Sequence, residues 1–108
     1  MNTILILSSD SRESANKAKQ FASIASSKGI KTVVACSRFI DELSSVGDDQ
    51  LLIDDQIVRK ISDKNIVAVI SCSDGLTSLA NEIKASLVLI SKSVIDFRGS
   101  KIDMSLLL

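Results

Sequence analysis

The stretch TILILSSDSRESANKAKQFASIASSKG, residues 3–29, changes its hydrophobic period once, and that change decides the fold. Thr3–Leu7 is a continuous apolar run rich in branched residues. Such a run marks a strand buried on both faces. A polar turn follows, Ser8 to Ser11. Ala15, Ala18, Ala22 and Ala25 then recur every three or four residues, with Phe21 beside them. This is the spacing of an amphipathic helix of about five turns, and its small face suits close packing on a sheet. Asp10 and Glu13 stand at capping-box spacing at its start, and Gly29 supplies its stop.

The unit then repeats. Ile30–Ala35 reads as a second strand. Phe39, Ile40, Leu43 and Val46 give a short helix, capped by Ser37 and ended by Gly47. Gln50–Ile53 is a third strand, and Ile57, Val58 and Ile61 mark another short helix. Ile66–Ile70 is the fourth strand. Leu76, Leu79, Ala80 and Ile83 mark a helix capped by Ser73 or Asp74, and Leu87–Ile90 is the fifth strand. Beyond Lys92, the residues Ile95, Phe97, Ile102 and Met104 alternate around Arg98-Gly99-Ser100, a hairpin pattern. A short final helix from Asp103 is the competing assignment. Strand–helix alternation with short connections predicts a parallel sheet with helices on both faces. The expectation is one domain over residues 1–108: an α/β, three-layer, doubly wound, five-stranded sheet of flavodoxin-like type.

Composition removes several functions. Thirteen basic and thirteen acidic residues cancel, which argues against a nucleic-acid or anionic-membrane surface. There is no Trp or Tyr and only three Phe, so base stacking has little to work with. There is no histidine, which removes Ser-His-Asp and Cys-His catalysis and most zinc sites. A metal would have to be a hard cation on oxygen ligands. The apolar run at the amino end is too short for a membrane span, and the chain reads as cytoplasmic. In that compartment Cys36 and Cys72 are free thiols.

In a sheet of this kind, ligands and chemistry sit beyond the carboxyl ends of the strands. There the sequence places Ser8, Ser9, Asp10 and Ser11; then Cys36, Ser37 and Arg38; then Asp54 and Asp55; then Ser71, Cys72, Ser73 and Asp74; then Ser91, Lys92 and Ser93. Serine and aspartate are also preferred helix caps. Capping alone accounts for Asp10, Ser37, Asp55 and Asp74. Asp54 is the exception, a carboxylate expected at the end of a central strand. With Ser71, Lys92 and Asp10 around it, an aspartate at that place can serve as a nucleophile forming an acyl phosphate. A magnesium ion on Asp10 and Asp54 would offset the phosphate charge. Lys92 and Ser71 would bond its oxygens.

The order of these parts resembles the receiver domain of two-component signalling. ILILSSD (Ile4–Asp10) is similar to the first receiver strand and its acidic turn, and LLID (Leu51–Asp54) to the strand ending in the phosphoacceptor. VAVIS (Val67–Ser71) is similar to the strand ending in the switch hydroxyl, and LVLISK (Leu87–Lys92) to the strand ending in the lysine. The resemblance covers about residues 3–97. It implies a small signalling or regulatory module that binds a protein partner, with Asp54 as acceptor, Ser71 and Lys92 beside it, and Asp10 as a metal carboxylate. Ser8 and Ser9 stand where a receiver carries its acidic pair, and no proline follows Asp54 or Lys92. Those departures point to a module degenerate in phosphorylation.

A second reading rests on ISCSDG, Ile70–Gly75, which puts Cys72 between a strand end and a helix amino terminus. Amides and dipole at such a terminus lower a thiol pKa. The placement resembles sulfur-relay proteins of the DsrE-like group and implies persulfide transfer at Cys72, with an oligomer sheltering the thiol. The alternative is a small buried hydrophobe. The closing Leu106–Leu108 suits either an apolar surface for a partner or second subunit, or core. A sugar-transport phosphocarrier would need a cysteine after the first strand, where this chain has only Ser and Asp. The four widely scattered glycines form no GxGxxG or P-loop.

Overall fold

The structure is a computed structural model that describes residues 2–88 and 95–98. Parallel strands build one sheet: β1 (Thr3–Ser8), β2 (Lys31–Cys36), β3 (Asp49–Leu52), β4 (Ile66–Ser71) and β5 (Ile95–Arg98). The helices are α1 (Arg12–Ser27), α2 (Ile57–Ile61) and α3 (Thr77–Val88). Single 3₁₀ turns lie at Asp41–Leu43 and Asp74–Leu76.

Two cores face opposite sides of the sheet, as alternation of side chains along a strand requires. On one side Ile4, Ile6, Val34, Cys36, Ala68 and Ile70 meet the Ala15, Ala18, Phe21, Ala22 and Ala25 face of α1. On the other, Leu5, Leu7, Val33, Ala35 and Val69 meet Ile57 and Ile61 of α2 and Ala80, Ile83 and Leu87 of α3. All six residues of β1 are buried, so this strand is the spine of both layers. The chain is therefore an α/β domain with a parallel sheet flanked by helices on both faces.

The strand order is β3-β2-β1-β4-β5. From β1 the chain winds one way through β2 to β3, then crosses back to lay β4 on the other side of β1. A flavodoxin-like sheet instead places its third strand beside its first. Here β3 lies at an edge, paired only with β2 among the described residues. The expectation of a central third strand is corrected. Local sequence explains why the edge is tolerated. β3 is half-exposed, with polar Asp49 and Gln50, and Leu52 is 40% exposed, unlike β1 and β4, which are apolar except at their terminal Thr3, Ser8 and Ser71.

Three local expectations also change. Leu87 belongs to α3, where it is buried as the next apolar position after Ala80 and Ile83. The helical period of three and four runs through the first half of LVLI, so Leu87–Ile90 is not the fifth strand; residues 89 and 90 lie outside the described residues. That strand is Ile95–Arg98, paired in parallel with β4. The second arm at Ile102–Met104 and the competing helix from Asp103 lie outside the described residues. The helix expected around Phe39–Val46 shrinks to one 3₁₀ turn with no side-chain cap, and Phe39 is 53% exposed. The Gln50 side chain donates to the carbonyls of Leu43 and Val46 and holds that turn against the start of β3.

Candidate functional site

The point where the strand order reverses lies between β1 and β4, and in open α/β sheets a crevice forms there. This structure has one. It encloses about 530 Å³ between the start of α1 and the β4–α3 connection. Ser11, Glu13, Ser14 and Lys17 line it from α1; Ser71, Cys72, Ser73, Asp74 and Thr77 line it from the opposite wall.

A web of serines builds the α1 side. The Ser8 hydroxyl, fully buried, donates to the Ser9 carbonyl (2.9 Å). Its one hydrogen being used, it accepts from Ser14 Oγ at 3.2 Å. Ser14 Oγ in turn accepts from the Ser9 amide (3.0 Å), and the Ser14 amide donates to Ser11 Oγ (3.2 Å). Ser11 is therefore the N-cap of α1, satisfying a helix-end amide. The expected capping box on Asp10 does not form, because Asp10 turns outward to pair with Arg38 at 3.1 Å. The sequence read these serines as a place where an acidic pair was missing; the structure uses them as the internal frame of the β1–α1 turn.

The β4 wall is equally tied down. Leu7 and Ser71 are in register across β1 and β4, and the Cys72 amide donates to the Leu7 carbonyl. Ser71 is buried and its hydroxyl donates to the Ser73 carbonyl at 2.7 Å. Cys72 is 4% exposed. Burial pushes its thiol up to about 12, partly opposed by the nearby Lys17 ammonium. Desolvation outweighs the helix terminus that was expected to activate it. At neutral pH this thiol is a protonated, packed wall of the crevice. Cys36 is buried too, its pKa raised by burial, and its Sγ lies 3.6 Å from the Leu51 carbonyl.

Asp54 lies elsewhere. It follows the edge strand β3, so β2 and β1 stand between it and Ser71 on β4. At about 4.8 Å per strand, three strand spacings exceed the reach of a phosphoryl group held by both. The Asp54 carboxylate is exposed and accepts from the Gln56 amide (2.9 Å) and from Lys60 Nζ (2.7 Å). The Lys60 bond leads in holding its pKa below the usual carboxylate value, and the Gln56 amide adds to it. Asp54 thus closes a local turn onto the Gln56 amide; α2 starts from Gln56 with no side-chain cap, so the capping expected of Asp55 does not form. Among the described residues no group of three or more Cys, Asp or Glu could hold a metal ion, and Asp10 and Asp54 each have a cationic partner instead. Lys92 lies outside the described residues.

Lys17 and Thr77 were not singled out from sequence, and Glu13 was read only as half of a capping box. One signal was present: Ser11, Ser14 and Lys17 recur every three residues and so share one side of α1. It could be used only once the strand order was known. Among the described residues no helix is long and apolar enough to cross a membrane. The fold and its crevice define an α/β domain with a polar cleft at the strand-order reversal. No protein-family model matches the chain, and no curated protein or solved structure is significantly similar to it.

Proposed function

We propose that this chain is a binding module whose ligand is a small polar molecule held in the crevice between β1 and β4. The observation that carries this reading is the position of the crevice. It lies where the strand order reverses, and its polar walls rise on a sheet core buried on both faces. Sites of this size with a few convergent polar groups on rigid elements are the usual seats of small ligands. The lining offers hydroxyls, two carboxylates and an ammonium. Its thiol is held protonated by burial, which favours recognition over nucleophilic chemistry.

The receiver-like reading required Asp54 beside Ser71, and the edge position of β3 takes that support away. The sulfur-relay reading required an accessible, acidic Cys72, and burial takes that support away. A regulatory role remains part of the proposal: occupancy of the crevice would alter the α1 and β4–α3 surfaces that a protein partner could sense.

Backbone amide shifts during titration with a mixture of small metabolites test this. Perturbations should cluster at residues 9–17 and 71–77, where the crevice walls lie. A cluster at residues 53–60 instead would move the site to the β3 rim and sink the reading.

A further inference from the structure

Resting on that reading of the crevice, we infer that its ligand is a small zwitterion of the amino-acid type, carrying one carboxylate and one ammonium. The case is the disposition of charge. Lys17 stands half-buried on the α1 wall, close enough to Cys72 to act on its thiol electrostatically. Glu13 and Asp74 are exposed and belong to opposite walls, one on the first turn of α1 and one on the 3₁₀ turn after β4. None of the ion pairs among the described residues uses any of the three, whereas Asp10, Asp49 and Asp54 all have cationic partners. The crevice lining therefore carries one half-buried cation and two exposed carboxylates, none of them in an ion pair among the described residues.

A ligand must answer both signs. A phosphate monoester would satisfy Lys17 but set about two negative charges beside Glu13 and Asp74. A diamine would satisfy the carboxylates and leave its second ammonium near Lys17. A neutral polyol would neutralise none of the three. An amino acid places a carboxylate toward Lys17 and an ammonium toward Glu13 and Asp74, adding no net charge to a lining that is one charge short of neutral. Charge-assisted hydrogen bonds of this kind are the stronger class, and the Thr77 hydroxyl on the same wall offers a further bond.

Isothermal titration with the proteinogenic amino acids, first mixed and then singly, is the test. Inorganic phosphate, putrescine and glycerol are run beside them. For the best amino acid, its carboxamide and its deaminated acid should each bind at least about tenfold more weakly, a factor worth about 1.4 kcal/mol. Lys17→Met should weaken the parent about tenfold yet leave the carboxamide little changed, and Asp74→Asn should do the converse with the deaminated acid. Both side chains are solvent-accessible, and unchanged melting temperatures would show that the variants fold. Binding of phosphate, putrescine or glycerol with amino acids silent overturns the inference while the crevice reading stands. Amino-acid binding indifferent to both substitutions also overturns it, placing the ligand elsewhere. Silence from all four classes at millimolar concentration overturns the inference, and unperturbed amides across residues 9–17 and 71–77 in the metabolite titration would then remove the crevice reading as well.

Discussion

The rim after β1 and the rim after β3 look alike in sequence and differ in the folded chain. SSDS and DDQ both follow an apolar run, and both open a helix. After β1, Ser8 is buried and the serines bond one another and frame a crevice. After β3, the aspartates face solvent and the leading one is held by Lys60. The difference comes from neighbours. β1 has a strand on each side and helices above and below, so its rim must be satisfied from within. β3 has one described neighbour and its rim is satisfied from the surface. A polar residue at a strand end acquires a role from the strands beside it, which a single chain segment does not record.

The largest expected contrast is chemical. If the crevice wall is as dry as its burial implies, Cys72 will react with iodoacetamide at pH 8.5 roughly a thousandfold more slowly in the native protein than after unfolding. That factor follows from a pKa moved from 9.0 to about 12 and the thiolate being the reactive form. Labelling monitored by mass on a Cys36→Ala background isolates the site. Native labelling at the unfolded rate would mean an accessible thiol and reopen sulfur chemistry. The linkage has a definite sign. The folded pKa is raised, so the stabilisation it represents is complete below the ordinary thiol range and is lost as pH climbs toward 12.

The edge of the sheet is less buried than its centre, yet one residue there is unforgiving. Gly47 leads into β3 with φ +78°, and a Cβ on it would sit 2.9 Å from Val34 Cγ2 and 3.1 Å from Thr32 Oγ1. Both the backbone conformation and the space exclude a side chain. Gly47→Ala should destabilise the fold by roughly 3 kcal/mol, adding left-handed strain to overpacking. Urea unfolding measures it. A loss under about 0.5 kcal/mol would show that β3 can lift away, and that the edge is a loosely attached element.

The sequence made the layers legible and hid the order of the strands. TILIL, KTVVA and IVAVI announce buried parallel strands through continuous branched runs, and the alanine spacing announces α1. All of these appear where expected. The position of β3 could not be read because nothing in DQLL states which strand it will pair with. That choice follows from which side the crossover to β4 takes. LVLI misleads because a four-residue apolar run fits a strand or the end of a helix equally well. The helical alternative won through Leu87, which completes the face begun by Ala80 and Ile83. The site inherited the topological error. With β3 imagined at the centre, Asp54 drew attention; with β1 and β4 adjacent, Ser14, Lys17 and Asp74 take its place.

A smaller effect sharpens the contrast inside the β1 rim. Ser14→Ala removes the acceptor of the Ser9 amide and the partner of the buried Ser8 hydroxyl. Stability should fall by about 1–2 kcal/mol, the usual cost of leaving partly buried polar groups unpaired. Ser14→Thr keeps the hydroxyl and should recover part of it. Equal stability of the alanine variant and wild type would mean that water replaces the hydroxyl, so that the serine web is not the frame of the turn.

Asp54 should matter least. Its carboxylate is exposed, and exposed ion pairs contribute little. Asp54→Asn should leave the melting temperature nearly unchanged at pH 7, with any small difference confined to the pH range where the carboxylate is ionised. The sign follows from the lowered pKa. The contribution is present above the ordinary carboxylate value and fades as pH falls through the lowered one, so wild type and variant should converge in acid. Acetyl phosphate with magnesium should add no mass to either protein, because the strand order sets Ser71 three strands away and Lys60 already occupies the carboxylate. A phosphoryl-sized gain in wild type that disappears in Asp54→Asn would be the outcome most damaging to the contrast between the two rims. It would mean that an edge aspartate with a single lysine partner suffices for acyl phosphate formation, and that the two rims differ in packing but share the capacity for chemistry.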